Sequence, residues 1–133
     1  MAVRMNARPE NDMTSENTSI RATALTIACT DPNKSERFYR GALGATPEPR
    51  DGYGCRWYRL GPMLINLMPN ATERSPARFP THAMPILYLE VDDLQATYQR
   101  LLDNGVDVAQ PSDGQSMMVV DPDGLLIEVW QAE

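Results

Sequence analysis

One pattern is written twice in this chain, and that constrains the fold more than any other feature. Residues 24–32 (ALTIACTDP) read as a strand that ends in an aspartate; a helix then runs from Pro32 to Leu43 and stops at Gly44. Residues 86–94 (ILYLEVDDL) repeat the strand and the aspartate, and a second helix runs to Asn104 and stops at Gly105. The capping aspartates, Asp31 and Asp93, lie 62 positions apart. An aspartate before a helix accepts hydrogen bonds from its first free N–H groups, and a glycine after it takes the left-handed turn that ends it. A chain of 133 residues with two copies of one unit is predicted to build two matching half-sheets with a ligand space between them.

The rest of the chain fills in each copy. Pro32 suits the first helical position, where no N–H is needed. Pro47, Pro49 and Gly52 allow only a short edge strand at 45–52. Cys55 to Leu60 and Met63 to Met68 read as a hairpin around Gly61-Pro62. In the second copy Leu94, Tyr98, Leu101 and Leu102 recur at helical spacing. A short strand at 106–109 follows, then strands 115–120 and 125–130 joined by a tight turn, Asp121-Pro122-Asp123-Gly124. Each half is predicted as strand–helix–strand–strand–strand, giving an α+β fold. Residues 69–83, with three prolines and no pattern, read as the linker between modules and a candidate lid. Residues 1–20 read as a disordered leader, with Met13 an alternative start, and residues 21–133 as one domain.

Strand alternation sorts the side chains by face. The odd-numbered sets (Leu25, Ile27, Cys29; Met63, Ile65, Leu67; Leu87, Leu89, Val91; Leu125, Ile127, Val129) are apolar and suit packing on the helices. The even-numbered sets mix small, polar and aromatic residues: Ala24, Thr26, Ala28; Leu64, Asn66, Met68; Ile86, Tyr88, Glu90; Leu126, Glu128, Trp130. Met68, Tyr88 and Trp130 are large to leave in water, so this face is expected to line a half-open cavity. One of Trp57 and Tyr58 must also face it, and the sequence leaves open which. Arg56 and Arg59 are candidates to pair with an anionic ligand or to lie exposed. Phe38 and Tyr39 read as core.

Net charge is −6, which argues against nucleic acid and anionic membrane as partners. It weakly favours a cationic ligand. No apolar run reaches the length that spans a bilayer, and no secretory signal is visible. Two cysteines, Cys29 and Cys55, are too few for a disulfide framework, so the cytoplasm is the expected compartment.

Two runs carry a family resemblance: Asp31-Pro32-x-x-Ser35-x-x-Phe38-Tyr39-x-x-x-Leu43-Gly44, and Asp121-Pro122-Asp123-Gly124-Leu125-Leu126-Ile127-Glu128-Val129. Both resemble the vicinal oxygen chelate superfamily, which includes glyoxalase I, extradiol dioxygenases, fosfomycin-resistance transferases and bleomycin-resistance proteins. The resemblance covers about residues 22–131. It implies two βαβββ modules whose eight strands form a cup with helices outside, usually completed as a homodimer or within one chain by pairing the two modules.

In metal-dependent relatives a divalent ion sits in that cup. Carried over by position, its four corners fall here on Ala24, Asn66, Ile86 and Glu128. Alanine and isoleucine cannot ligate a metal, and one carboxylate with one amide falls short of the roughly three protein ligands that a catalytic ion takes. The single histidine, His82, lies in the linker, four residues before Ile86. The resemblance therefore gives no support to metal-assisted chemistry, and no metal or cofactor is expected.

Two roles stay open for Glu128: a hydrogen bond to Asn66 or to a ligand, or a general base whose pKa is raised by burial. The expected function is metal-free binding of a small, aromatic or cationic organic molecule, most like the bleomycin-resistance branch. The expected ligand-binding residues are Ala24, Trp57, Asn66, Met68, Ile86, Tyr88, Glu128 and Trp130. The rival is a lyase or isomerase that uses Glu128 or an unforeseen metal site.

Overall fold

The computed structural model describes residues 20–50, 54–74 and 85–133. The leader through residue 19, most of the linker and His82 lie outside the described residues.

Two four-stranded mixed sheets form, one per copy of the repeat. In the first, β1 (Ala24–Ala28) lies at one edge, followed by β4 (Met63–Met68), β3 (Arg56–Leu60) and β2 (Thr46–Pro47). In the second, β5 (Ile86–Val91) takes the edge, followed by β8 (Leu126–Gln131), β7 (Ser116–Val120) and β6 (Asp107–Gln110). The first strand of each module runs parallel to the last, which the intervening helix makes possible, and the other pairs are antiparallel. The registers repeat too: Thr26 lies opposite Asn66, and Tyr88 opposite Glu128.

The two helices start alike. Asp31 Oδ1 accepts from the N–H groups of Asn33 (3.1 Å) and Lys34 (3.4 Å), and Asp93 Oδ1 from that of Ala96 (3.0 Å). They then diverge. Helix α2 (Leu94–Asp103) is regular, whereas α1 (Pro32–Glu36) runs on as a π-helical segment, Arg37–Ala42. The expected uniform α-helix is therefore corrected here. The reason lies in the spacing: the interval from capping aspartate to glycine is one residue longer in the first copy (Asp31 to Gly44) than in the second (Asp93 to Gly105). A π turn takes up that residue. It keeps Ser35, Phe38, Tyr39 and Ala42 buried together. Gly44 (φ +79°) and Gly105 (φ +71°) both adopt the left-handed conformation that alanine resists.

One hydrophobic core joins both modules, built from the helices and the odd-numbered strand residues; Cys29, Tyr39, Ile65, Leu101, Val119 and Ile127 are fully buried in it. Met63 departs from this expectation. It opens its strand just after the Gly61-Pro62 turn and stays 37 % exposed. Burial, helped by Asp123 and Asp121, pushes the Cys29 thiol up to about 11, which makes it a core residue and not a nucleophile.

The modules are also bolted together by polar contacts. The Asp121–Gly124 turn, read from sequence only as a tight connection, is 0 % exposed at Asp121 and 5 % at Asp123. Asp123 Oδ1 accepts from the backbone N–H (2.9 Å) and hydroxyl (2.7 Å) of Thr30, and its Oδ2 accepts from the Ser35 hydroxyl (3.1 Å). Asp121 Oδ2 accepts from the Tyr39 hydroxyl at 2.7 Å, and its Oδ1 from the N–H groups of Asp123 (2.9 Å) and Leu125 (2.8 Å). The two sequence motifs are thus two halves of one junction. Arg100 adds a bond from Nε to the carbonyl of Ala42 at 3.0 Å.

Candidate functional site

The helices cover one side of each sheet, and the candidate site lies on the other. On that side the outer strands are open: Ala24, Thr26 and Ala28 of β1 are exposed, as are Ile86 (40 %) and Tyr88 (52 %) of β5. The inner strands on the same side are closed: Leu64, Asn66, Met118 and Leu126 are all buried. This is the face that carries the mixed even-numbered residues, exposed along its outer strands and closed along its inner ones.

Register settles the orientation of Trp57. It lies opposite Asn66, so it shares the face of Asn66 and Thr26. Arg59 lies opposite Leu64 and shares that face, while Arg56 and Tyr58 point to the helix side. There Glu36 accepts from Arg56 at 3.1 Å and from the Tyr58 hydroxyl. Burial first, then Glu36, pushes the Tyr58 hydroxyl up to about 12. Arg59 grips Glu48 with two bonds (3.1 and 2.9 Å), and Arg50 sits 4.9 Å from the Trp57 ring centre. Arg56 and Arg59 are therefore held by carboxylates of the protein itself.

The polar residues at the centre of the first sheet are incompletely satisfied. Asn66, 7 % exposed, donates from Nδ2 to Thr26 Oγ1 at 3.2 Å. Its partner is Thr26 and not Glu128. Among the described residues, three buried side-chain polar atoms have no hydrogen-bond partner: Asn66 Oδ1, Trp57 Nε1 and Trp130 Nε1. All three residues belong to the faces away from the helices.

The second sheet contributes an aromatic pair. Tyr88 and Trp130 stack with centroids 6.3 Å apart and planes at 22°. Glu128 lies opposite Tyr88, and Glu90 lies opposite Trp130. The Tyr88 phenol is held above its ordinary range by partial desolvation and by the carboxylates of Glu90 and Glu128. Met68, 44 % exposed, ends β4 beside Ala28.

The sequence profile of the Glyoxalase/Bleomycin resistance protein/Dioxygenase superfamily matches residues 21–129. The chain belongs to this superfamily. Solved structures of the glyoxalase-like fold agree. TioX from Micromonospora sp. ML1 is 18% identical with a TM-score of 0.64, over 84% of this chain and 98% of that one. The V. cholerae integron cassette protein VCH_CASS1 is 25% identical with a TM-score of 0.65, over 87% and 98%. A point mutant of the fosfomycin resistance protein FosX from Listeria monocytogenes, complexed with Mn(II) and 1S,2S-dihydroxypropylphosphonic acid, is 16% identical with a TM-score of 0.62, over 84% and 89%. No curated protein matches the sequence significantly.

Superfamily membership raises the question of a divalent ion, and the residues at the four corners do not fit one. Ala24 and Ile86 carry no donor atom, and only Asn66 and Glu128 remain. Among the described residues no group of three or more His, Cys, Asp or Glu side chains is arranged to hold a metal. A divalent ion takes about three protein ligands even in an open catalytic site.

Proposed function

We propose that this glyoxalase-superfamily chain binds a small organic molecule, without a metal, in the cup lined by the non-helical faces of its two sheets. The observation that carries this reading is the set of three buried, unpartnered polar atoms on Asn66, Trp57 and Trp130. Each such group costs about 1–3 kcal/mol while it lacks a partner, so a protein retains it where something else supplies the bond. Ala24, Met68 and Ile86 would add apolar contact at the margins.

The ligand is planar and, at the second sheet, positively charged. The stacked Tyr88–Trp130 pair offers aromatic faces, and Glu90 and Glu128 place negative charge beside them. Homodimerisation is part of this reading. β1 and β5 lie at sheet edges, whose open backbone groups a second copy would pair. Two free cysteines suit a reducing cytoplasm.

Titration of tryptophan fluorescence with N-methylquinolinium tests the reading. Saturable quenching that survives EDTA is the expected result. Stoichiometric metal in the purified protein, or quenching abolished by EDTA, would overturn it. Glu128→Gln is expected to leave stability within about 0.5 kcal/mol, as for a substitution outside the packed core, and to weaken this cation about three- to tenfold. Unchanged affinity would remove Glu128 from the site.

A further inference from the structure

We propose that a second small-molecule site, separate from the cup, lies on the helix side between the modules, and that it takes an organic phosphate: an apolar body carrying one phosphate group. This goes beyond the binding reading above and does not depend on it.

A cleft of about 460 Å³ lies between the first helix and the start of β6. That volume falls within the roughly 300–1,000 Å³ of small-molecule sites. The cleft is not the cup, because Phe38 and Ala42 on its wall belong to the core that the helices cover. Both residues come from the π-helical segment, a distortion often found at functional sites. Val106, Val120 and Pro122 line the cleft from the second module. An apolar ligand body would therefore meet hydrocarbon from both modules.

Three cations line the same cleft: Lys34, Arg37 one turn further on, and Arg74 from the segment after β4. In a chain of net charge −6 they gather charge of the opposite sign. Among the described residues none of the three pairs with a carboxylate, whereas Arg40, Arg50, Arg56 and Arg59 all do. The repeat does not call for them either: the positions 62 further on hold Ala96 and Gln99. Two acids also line the cleft. The Asp121 carboxylate is taken by the Tyr39 hydroxyl and two backbone N–H groups, which leaves Asp107 as the exposed acid on the β6 side. A carboxylate ligand brings one negative charge, and a phosphate monoester brings about 1.5–2 at neutral pH with three acceptor oxygens. The phosphate is the better match to three cations on two segments of chain.

The probes are 1-naphthyl phosphate, 1-naphthol, which has the rings without the charge, and inorganic phosphate, which has the charge without the rings. They are titrated against the full chain by calorimetry at physiological ionic strength. The phosphate ester is expected to bind about tenfold or more tighter than either part, the factor for gaining charge-assisted hydrogen bonds on an apolar seat. The double variant Lys34→Gln, Arg37→Gln alters two exposed residues and is expected to remove most of the preference for the ester over the naphthol. Asp107→Asn is expected to tighten the ester about twofold or more, because it removes a repelling charge. It also serves as an independent readout that leaves the first helix untouched. Equal affinity of the ester and the naphthol, or of the ester and inorganic phosphate, would overturn the proposal. A preference that survives the double variant would overturn it too, as would weaker ester binding in Asp107→Asn. Displacement of the ester by N-methylquinolinium would place it in the cup and overturn the second site. If the ester does not bind, this inference falls and the binding reading for the cup stands.

Discussion

Asp123→Ala is expected to destabilise the fold by about 1–3 kcal/mol, the cost of leaving a buried neutral donor without its acceptor. One side chain accepts three hydrogen bonds from Thr30 and Ser35, residues about 90 positions away in sequence. Alanine would strand the fully buried Ser35 hydroxyl without its acceptor, whereas the groups of the exposed Thr30 can turn to water. Ser35→Ala removes one of those bonds and should cost about 1 kcal/mol. Urea unfolding of both variants and of the double mutant measures this. The double mutant should cost less than the sum, since the two residues share one contact. A loss below about 1 kcal/mol for Asp123→Ala would mean that the modules are held by the apolar core alone.

Tyr39→Phe should cost about 1–3 kcal/mol at neutral pH, the penalty for stripping a buried acceptor of its donor, and less in acid. The Asp121 carboxyl is raised above its ordinary value because burial outweighs the hydrogen bonds from Tyr39, Leu125 and Asp123. A raised carboxyl binds its proton more tightly in the folded than in the unfolded chain. Its contribution to stability is therefore greatest below the unfolded value of about 3.9, and it falls as pH rises from there through the raised folded value. Removing the Tyr39 hydroxyl takes away a bond that favours the ionised form and raises the carboxyl further. The deficit of the variant should then grow with pH across that window. Chemical denaturation at pH 4 and pH 7 reads the difference. A deficit that is larger in acid would contradict the assigned bond. Tyr39 is itself held well above the usual tyrosine range, by burial and then by Asp121, so it remains a donor throughout.

The fold was legible because its signals are local. Asp31, Asp93, Gly44 and Gly105 mark helix ends by chemistry that acts within one turn, and alternation in β1, β4, β5 and β8 sorts faces by a fixed period. The π-helical segment was missed although its cause is countable: one extra residue between Asp31 and Gly44. The junction was missed for a different reason. Nothing near Asp121 or Asp123 in sequence announces a partner, since Ser35 and Tyr39 meet them only in the folded molecule. The available hint was a serine and a tyrosine hydroxyl on the buried side of α1, where a core alone would ask for neither. In the candidate site, the residues on the non-helical face followed from alternation, but the direction of Trp57 needed the β3–β4 register. The unpartnered atoms of Asn66, Trp57 and Trp130 depend on what each side chain fails to meet, and no pattern of residue types encodes that.

The aspartate turn also bears on how the molecule comes together. Thr30, Ser35 and Tyr39 belong to the half that is synthesised first, yet their acceptors belong to the half that is made last. A nascent first module would hold hydroxyls without their acceptors and an apolar flank without its counterpart until the last strands are made. The repeated look of the sequence thus hides a division of labour: each repeat supplies part of the interior of the other.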